Sequence, residues 1–204
     1  MPVSASDPEQ AILDQLAGPA GEWEPGATSS GGIQSGIVHG GNPFQADLYT
    51  VRFVKQRHSE HRQVYFVTFD GSIPQLGAET HTFGYVYPLE REPAGGWRVI
   101  GGSGGGGETP ARSSPWVNLG GGELAHGFYA GGRIDSAGVD VARVQLRFAD
   151  GLTLEDDTEE SVALFITDHA VRTPATAVLY DRAGNERAAH PAFPDMRGHG
   201  GTAG

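Results

Sequence analysis

Four short stretches of this sequence hold residue types that could do chemistry. The first is GGSGGGGETP, residues 101–110, which read from Gly102 satisfies the dinucleotide-loop pattern G-x-G-x-x-G. Such a loop aims backbone N–H groups at a pyrophosphate from a strand–glycine–helix turn, so the helix after the glycines is essential. Here an apolar run at 97–100 enters, but Pro110 and Pro115 follow and no helical period appears. No Gly-Lys-Ser/Thr follows either, so the P-loop pattern fails. The run therefore reads as a flexible or tightly turning connector that would be among the most mobile internal segments, and no cofactor is expected on it.

The second stretch is His58-Ser-Glu60-His61, whose two imidazoles and carboxylate are metal-ligand types; Glu79 or His81 could complete a zinc set. The segment sits between two strand-like runs, where nothing fixes the ligands, and it reads as a solvated loop. The third is the acidic run Glu155-Asp156-Asp157-Thr158-Glu159-Glu160, with Asp135, Asp140 or Asp168 as further oxygen donors for a hard cation. It lacks EF-hand spacing and reads more simply as a charged strand end that keeps an edge from pairing with another chain. The fourth is Asp168-His169, a possible acid–base pair, except that neighbours on a strand point to opposite faces. Ser103, Ser113, Ser114 and Ser161 occupy no G-x-S-x-G elbow, and His199 lies between glycines near the C-terminus. These stretches define no catalytic, cofactor-binding or metal set.

The whole composition narrows the function classes further. Net charge is −11, with six basic and eleven acidic residues in 1–106 and eight and fourteen in 107–204. Acidity spread over both halves leaves no basic face for nucleic acid or for an anionic membrane. The absence of cysteine removes disulfides and thiolate chemistry. The N-terminal MPVSASDPEQAILDQLAG has no basic n-region or long apolar core, so a cytoplasmic location is expected.

The elements that must position these residues are mostly strands. Residues 8–17, PEQAILDQLA, form the one convincing helix, with Asp7 as N-cap, Pro8 in its first turn, Gly18-Pro19 ending it, and Ile12, Leu13 and Leu16 on one face. Residues 18–45 read as an extended loop with a short strand at 33–38. Period-two runs at 48–54, 64–69, 82–89 and 97–100 predict four antiparallel strands, with 55–62 a polar connection. Tyr49, Val51 and Phe53 share a face; 64–69 is apolar on both faces, as a central strand should be; Phe83, Tyr85, Tyr87 and Leu89 share a third face. Pro88 marks an edge or a strand end. The aromatics Tyr65, Phe83, Tyr85, Tyr87 and Trp97 make core or line a cavity.

The second half predicts strands at 116–119, 124–134, 139–149, 152–156, 161–167, 175–180 and 187–190, with 191–204 a disordered tail. Trp116 is expected at the seam between the halves. One hairpin can be specified. A two-residue loop at Asp150-Gly151 would set Leu154 across from the solvent-facing Arg147. A three-residue loop, Ala149-Asp150-Gly151, instead pairs Phe148 with Leu152, Leu146 with Leu154 and Arg143 with Asp157, which requires a type I turn, a G1 bulge and Gly151 at positive φ.

The chain is thus expected to be mainly β: a short N-terminal helix with a curved antiparallel sheet over 1–106, then an Ig-like antiparallel β-sandwich over 107–190. The helix-then-strands order of the first half resembles cystatin-like or NTF2-like small α+β folds in topology. The functional expectation is a non-catalytic binding or assembly module that meets a protein partner, or itself, at sheet edges or glycine-rich loops. The alternative is a small-molecule or enzymatic pocket lined by the first half's aromatics.

Overall fold

The computed structural model describes residues 6–18, 22–28, 34–39, 44–74, 79–106 and 112–195. It is mainly β, and its internal contacts cluster into two units, Met1–Thr109 and Pro110–Gly204. Among the described residues no helix is long and apolar enough to cross a membrane.

The first unit opens with helix α1, Pro8–Ala17, with Asp7 at its N-cap in extended conformation and Pro8 in the first turn. The Asp7 side chain makes no capping bond; its carbonyl accepts the Ala11 N–H instead. The segment expected to be a loop over 18–45 contains an antiparallel hairpin, β1 (Glu22–Thr28) and β2 (Gln34–His39), which overlaps the expected strand only in its second arm. A six-stranded antiparallel sheet follows: β3 (Gln45–Ala46), β4 (Arg52–His58), β5 (Arg62–Ser72), β6 (His81–Arg91), β7 (Trp97–Val99) and β8 (Ser103–Gly106).

The strand expected from residue 48 begins at Arg52, because Leu48–Thr50 is a 3-10 turn. Side-chain bonding overrides the alternation there. The Asp47 carboxylate accepts the Tyr49 N–H at 3.0 Å, and Thr50 Oγ1 both donates to the Asp47 carbonyl and accepts the Asp70 N–H. Tyr49 is in consequence fully exposed rather than packed with Phe53.

β5 is central, with β3 and β4 on one side and β6 on the other, and both of its faces are buried as its sequence requires. Tyr65, Val67 and Phe69 of β5 and Phe83, Tyr87 and Leu89 of β6 share one face and pack against Ile12 and Leu16 of α1. Phe44 sits among Phe69, Phe83 and Tyr85 at ring separations of 5.1, 4.6 and 5.0 Å.

Pro88 lies inside β6 rather than at its end, and the neighbouring strand explains why. Ile100 donates its N–H to the Pro88 carbonyl. A strand residue directs its N–H and C=O to the same side, so the bond Pro88 lacks falls on that side too. There the edge is interrupted between Val99 and Ser103.

The second unit is a seven-stranded sandwich of β9 (Trp116–Leu124), β10 (Gly127–Asp135), β11 (Val141–Phe148), β12 (Thr153–Asp157), β13 (Val162–Thr167), β14 (Ala175–Asp181) and β15 (Glu186–Phe193). One sheet has the order β13-β10-β9 and the other β12-β11-β14-β15, an Ig-like Greek key in which the fourth strand pairs with the third. Phe128, Ala130, Val144, Leu146, Phe165, Ala177 and Leu179 fill the space between them.

The expected strand over 124–134 is divided by a tight turn at Ala125-His126, and β9 continues through Gly120, Gly121 and Gly122 to meet β10. Glycine is required for that approach, since a Cβ on Gly121 would lie 2.7 Å from the Ala130 Cα. β15 also runs past the expected tail boundary at residue 191, because Phe193 is a core residue.

The β11–β12 hairpin has the three-residue loop its sequence specifies. Arg143 pairs with Asp157 and Leu146 with Leu154. Phe148 accepts the Gly151 N–H and donates to the Leu152 carbonyl, and Gly151 has φ +88°. The next turn is less well matched. Glu160 and Ser161 both have positive φ, +52° and +55°, in the turn closed by the Val162 N–H on the Glu159 carbonyl. Type I′ geometry favours Asn-Gly there. Ser161→Gly is therefore expected to raise the urea midpoint of the second unit, by about 0.5–1 kcal/mol in stability.

Both open sides of the sandwich are closed by one buried polar side chain. On one side Asp156 of β12, 4% exposed, accepts the backbone N–H of Leu164 on β13 at 2.7 Å. On the other His190 of β15, 6% exposed, bonds the Val117 carbonyl of β9 through Nε2 at 3.1 Å. Its ring stacks on Trp116 at 3.6 Å, and the Arg112 guanidinium lies 4.2 Å from the same indole ring. Trp116, expected at the seam, thus has its stacking partners within the second unit.

Burial holds the His190 imidazole below its ordinary value; the Val117 carbonyl opposes that shift and the Arg112 guanidinium adds to it. The unfolded chain then binds the proton more readily than the folded one. The contribution to stability is complete above about pH 6.5 and declines as pH falls below that, through the folded value. Thermal unfolding at pH 7.5 and 5.5 is expected to show a larger loss for the native protein than for His190→Gln; equal losses would remove the histidine from the effect.

Candidate functional site

The structure separates most of the residues that sequence spacing grouped. His58 ends β4, and Glu60 and His61 lie in the turn before β5, with His61 Nε2 3.8 Å from Glu60 Oε1 and both side chains exposed. Glu79 and His81 form a similar exposed pair at 3.8 Å. In the β5–β6 register Arg62 faces Glu90 while Gly71 faces His81, so the two pairs stand at opposite ends of the hairpin. At about 3.3 Å per residue they are roughly 30 Å apart and cannot share a metal.

The acidic run is divided as well. Glu155 lies on the outer face of β12, where it meets Arg143 Nη1 at 3.2 Å and accepts from Gln145, while Asp156 turns inward to Leu164. Arg147 and the Tyr180 hydroxyl extend that outer network, and the Arg143 guanidinium lies 4.6 Å from the Tyr180 ring centre. Asp135 accepts the Ala137 N–H, and Asp140 is 3.5 Å from Arg182. Asp168 follows Thr167, which pairs with Phe128 at the far end of β10 from Asp135. Among the described residues no three His, Asp or Glu side chains converge as a metal-ligand set.

His169 is exposed in the bend after β13, where its N–H donates to Thr167 Oγ1. Ser113 and Ser114 are exposed in a bend before β9, and Ser161 occupies the turn before β13. His199 lies outside the described residues.

The aromatics expected to form core or cavity are brought together on the helix-facing side of the first sheet. The Tyr65 phenol is pushed up to about 12 by burial and by Glu9 and Asp7, and burial alone raises Tyr85. Tyr87 is held well above the ordinary phenol range by burial and by Tyr85. All three are neutral hydroxyls near pH 7 and supply no phenolate nucleophile. Tyr65 donates to Gln63 at 3.1 Å, whereas the buried Tyr87 hydroxyl has no hydrogen-bond partner among the described residues.

The glycine run is where the structure departs furthest from the connector reading. Residues 103–106 form β8, an edge strand on β6, with Val86 facing Ser103, Gly84 facing Gly105 and Phe83 facing Gly106. Residues 107–111 lie outside the described residues. Alternate glycines are bare because rings occupy their side-chain space. A Cβ on Gly102 would lie 2.6 Å from Tyr85 Cε1, and one on Gly106 2.7 Å from Phe83 Cδ1. One on Gly104 would meet the Gly84 carbonyl and lie 2.7 Å from Tyr85 Cα, whereas one on Gly105 would have nothing within 4 Å among the described residues. This is aromatic rescue of an edge glycine strand. Its signal was present as a period-two match between Gly102-x-Gly104-x-Gly106 and Phe83-x-Tyr85.

The hydrogen-bonding sides follow from Pro88. Its carbonyl points toward this edge, so by alternation Val86 and Gly84 also direct their backbone groups there. Ser103 and Gly105 answer them, and Gly104 and Gly106 direct their N–H and C=O outward. Among the described residues no strand pairs with that outer side, and Gly104 and Gly105 are exposed.

Among the described strands most other edges are guarded, although β2 and β13 carry neither Asp, Glu, Lys, Arg nor proline. β4 carries Arg52, Lys55 and Arg57; β12 carries Glu155, Asp156 and Asp157; β15 carries Arg187 and Pro191. The second glycine edge, Gly120 to Gly122 of β9, is half-buried, followed by Glu123, and held at Val117 by His190. β8 has no charge, no proline and no side chain beyond Ser103.

Comparison with protein-family models, with curated proteins and with solved structures finds no match to this chain.

Proposed function

We propose that the chain is a non-catalytic binding or assembly module that takes up an extended segment of a protein partner at the open edge of β8. The observation that supports it is the unguarded row of outward backbone groups at Gly104 and Gly106, on a strand without charge or proline, in a sheet whose β4 edge carries Arg52, Lys55 and Arg57. The test is an NMR titration with the heptapeptide Thr-Val-Thr-Val-Thr-Val-Thr. Shifts centred on the Gly104 and Gly106 amides are expected, and they should vanish with Gly105→Lys, which places a charge on the edge without a clash. Shifts scattered elsewhere, or none at millimolar peptide, would contradict the proposal.

A second reading has one observation in its favour. The buried Tyr87 hydroxyl, without a partner among the described residues, is a donor that a small ligand carrying an acceptor oxygen would satisfy. Native mass spectrometry of the purified protein with a retained small-molecule adduct would support this reading over strand addition.

A further inference from the structure

We infer that the occupant of the β8 edge is an uncharged extended segment of a different protein, built as small–bulky–small, with an aromatic or large branched side chain opposite Gly105. This rests on the strand-addition reading and specifies its partner. Residues paired across two strands share a face. Opposite Gly104 and Gly106 that face is already occupied by the Tyr85 and Phe83 rings, so the incoming residues there must be slim. Opposite Gly105 the space is open, and the next residue across the sheet is again a glycine, Gly84. A large side chain fits there and covers exposed backbone. From Ser103 to Gly106, β8 itself offers a partner no charged side chain.

The same geometry disfavours a second copy of this chain. Its own β8 would bring only glycine and serine to the edge and leave the Gly105 face empty on both strands.

The experiment uses the whole 204-residue chain and a series Thr-Val-Thr-X-Thr-Val-Thr with X as Gly, Ala, Val, Phe or Trp, with affinity read from the Gly104 and Gly106 amide shifts. Binding is expected to tighten by roughly ten-fold from Gly to Phe or Trp. Gly105→Val, which fills the space, is expected to abolish that preference while the smaller peptides still bind. Binding that ignores X, or a preference that survives Gly105→Val, overturns the inference and leaves strand addition standing. Dimerisation through β8, seen as concentration-dependent mass with the same two amides shifted, overturns it in favour of self-assembly. Failure of every peptide to bind removes the strand-addition reading and the inference with it.

Discussion

Gly104→Ala is expected to destabilise the first unit by roughly 1–3 kcal/mol, whereas Gly105→Ala, one residue further on, is expected to be neutral or slightly stabilising. The contrast follows from where each Cβ would point. At 104 it meets the Gly84 carbonyl and the Tyr85 backbone, atoms that belong to the paired strand and cannot swing away. To accept the methyl, β8 must leave β6, exposing the Tyr85 and Phe83 rings that pack on Phe44. At 105 there is nothing to displace, and alanine reduces the freedom of the unfolded chain. Paired urea denaturation of the two variants checks this. Equal, small effects would mean that the run is a connector after all.

Asp156→Ala is the second large effect, expected to lower the stability of the sandwich by roughly 1.5–3 kcal/mol. The carboxylate is buried and accepts the Leu164 N–H, linking the edge strands of the two sheets. Alanine removes a charge-assisted bond and leaves a buried donor without its acceptor. Asp156→Asn keeps an oxygen in place and should recover part of the loss. By contrast Asp157→Ala, exposed on the outer face in register with Arg143, should change stability by less than about 1 kcal/mol, as exposed charges do. Thermal unfolding of the three variants separates them; similar losses at 156 and 157 would show that only net charge matters.

The second unit was the more legible half because its apolar period and its turn chemistry agree. Leu146, Phe148 and Leu154 could face inward together only with a three-residue loop, so a register, and not merely two strands, followed from the residues. Where side chains bond the backbone, the period misleads. Asp47 and Thr50 convert an alternating run into a turn and leave Tyr49 in solvent. Glycines mislead in the opposite direction. The runs at 101–107 and 120–122 resemble linkers in composition, yet residues 103–106 and 120–122 lie in strands where missing side chains admit a ring or a neighbouring backbone. For 102–106 the period-two match to Phe83-x-Tyr85 carries the signal, but it takes the pairing with β6 to give it meaning. The clasps at Asp156 and His190 were hidden for the same reason, since each acts on a backbone group of a strand in the other sheet.

The most direct test of the glycine edge is native-state amide hydrogen exchange resolved at residues 103–106. An ordered β8 with one side open predicts alternation: slow exchange at Ser103 and Gly105, which bond β6, and fast exchange at Gly104 and Gly106, which face outward. Uniformly fast exchange across all four would contradict it and return the run to a flexible connector.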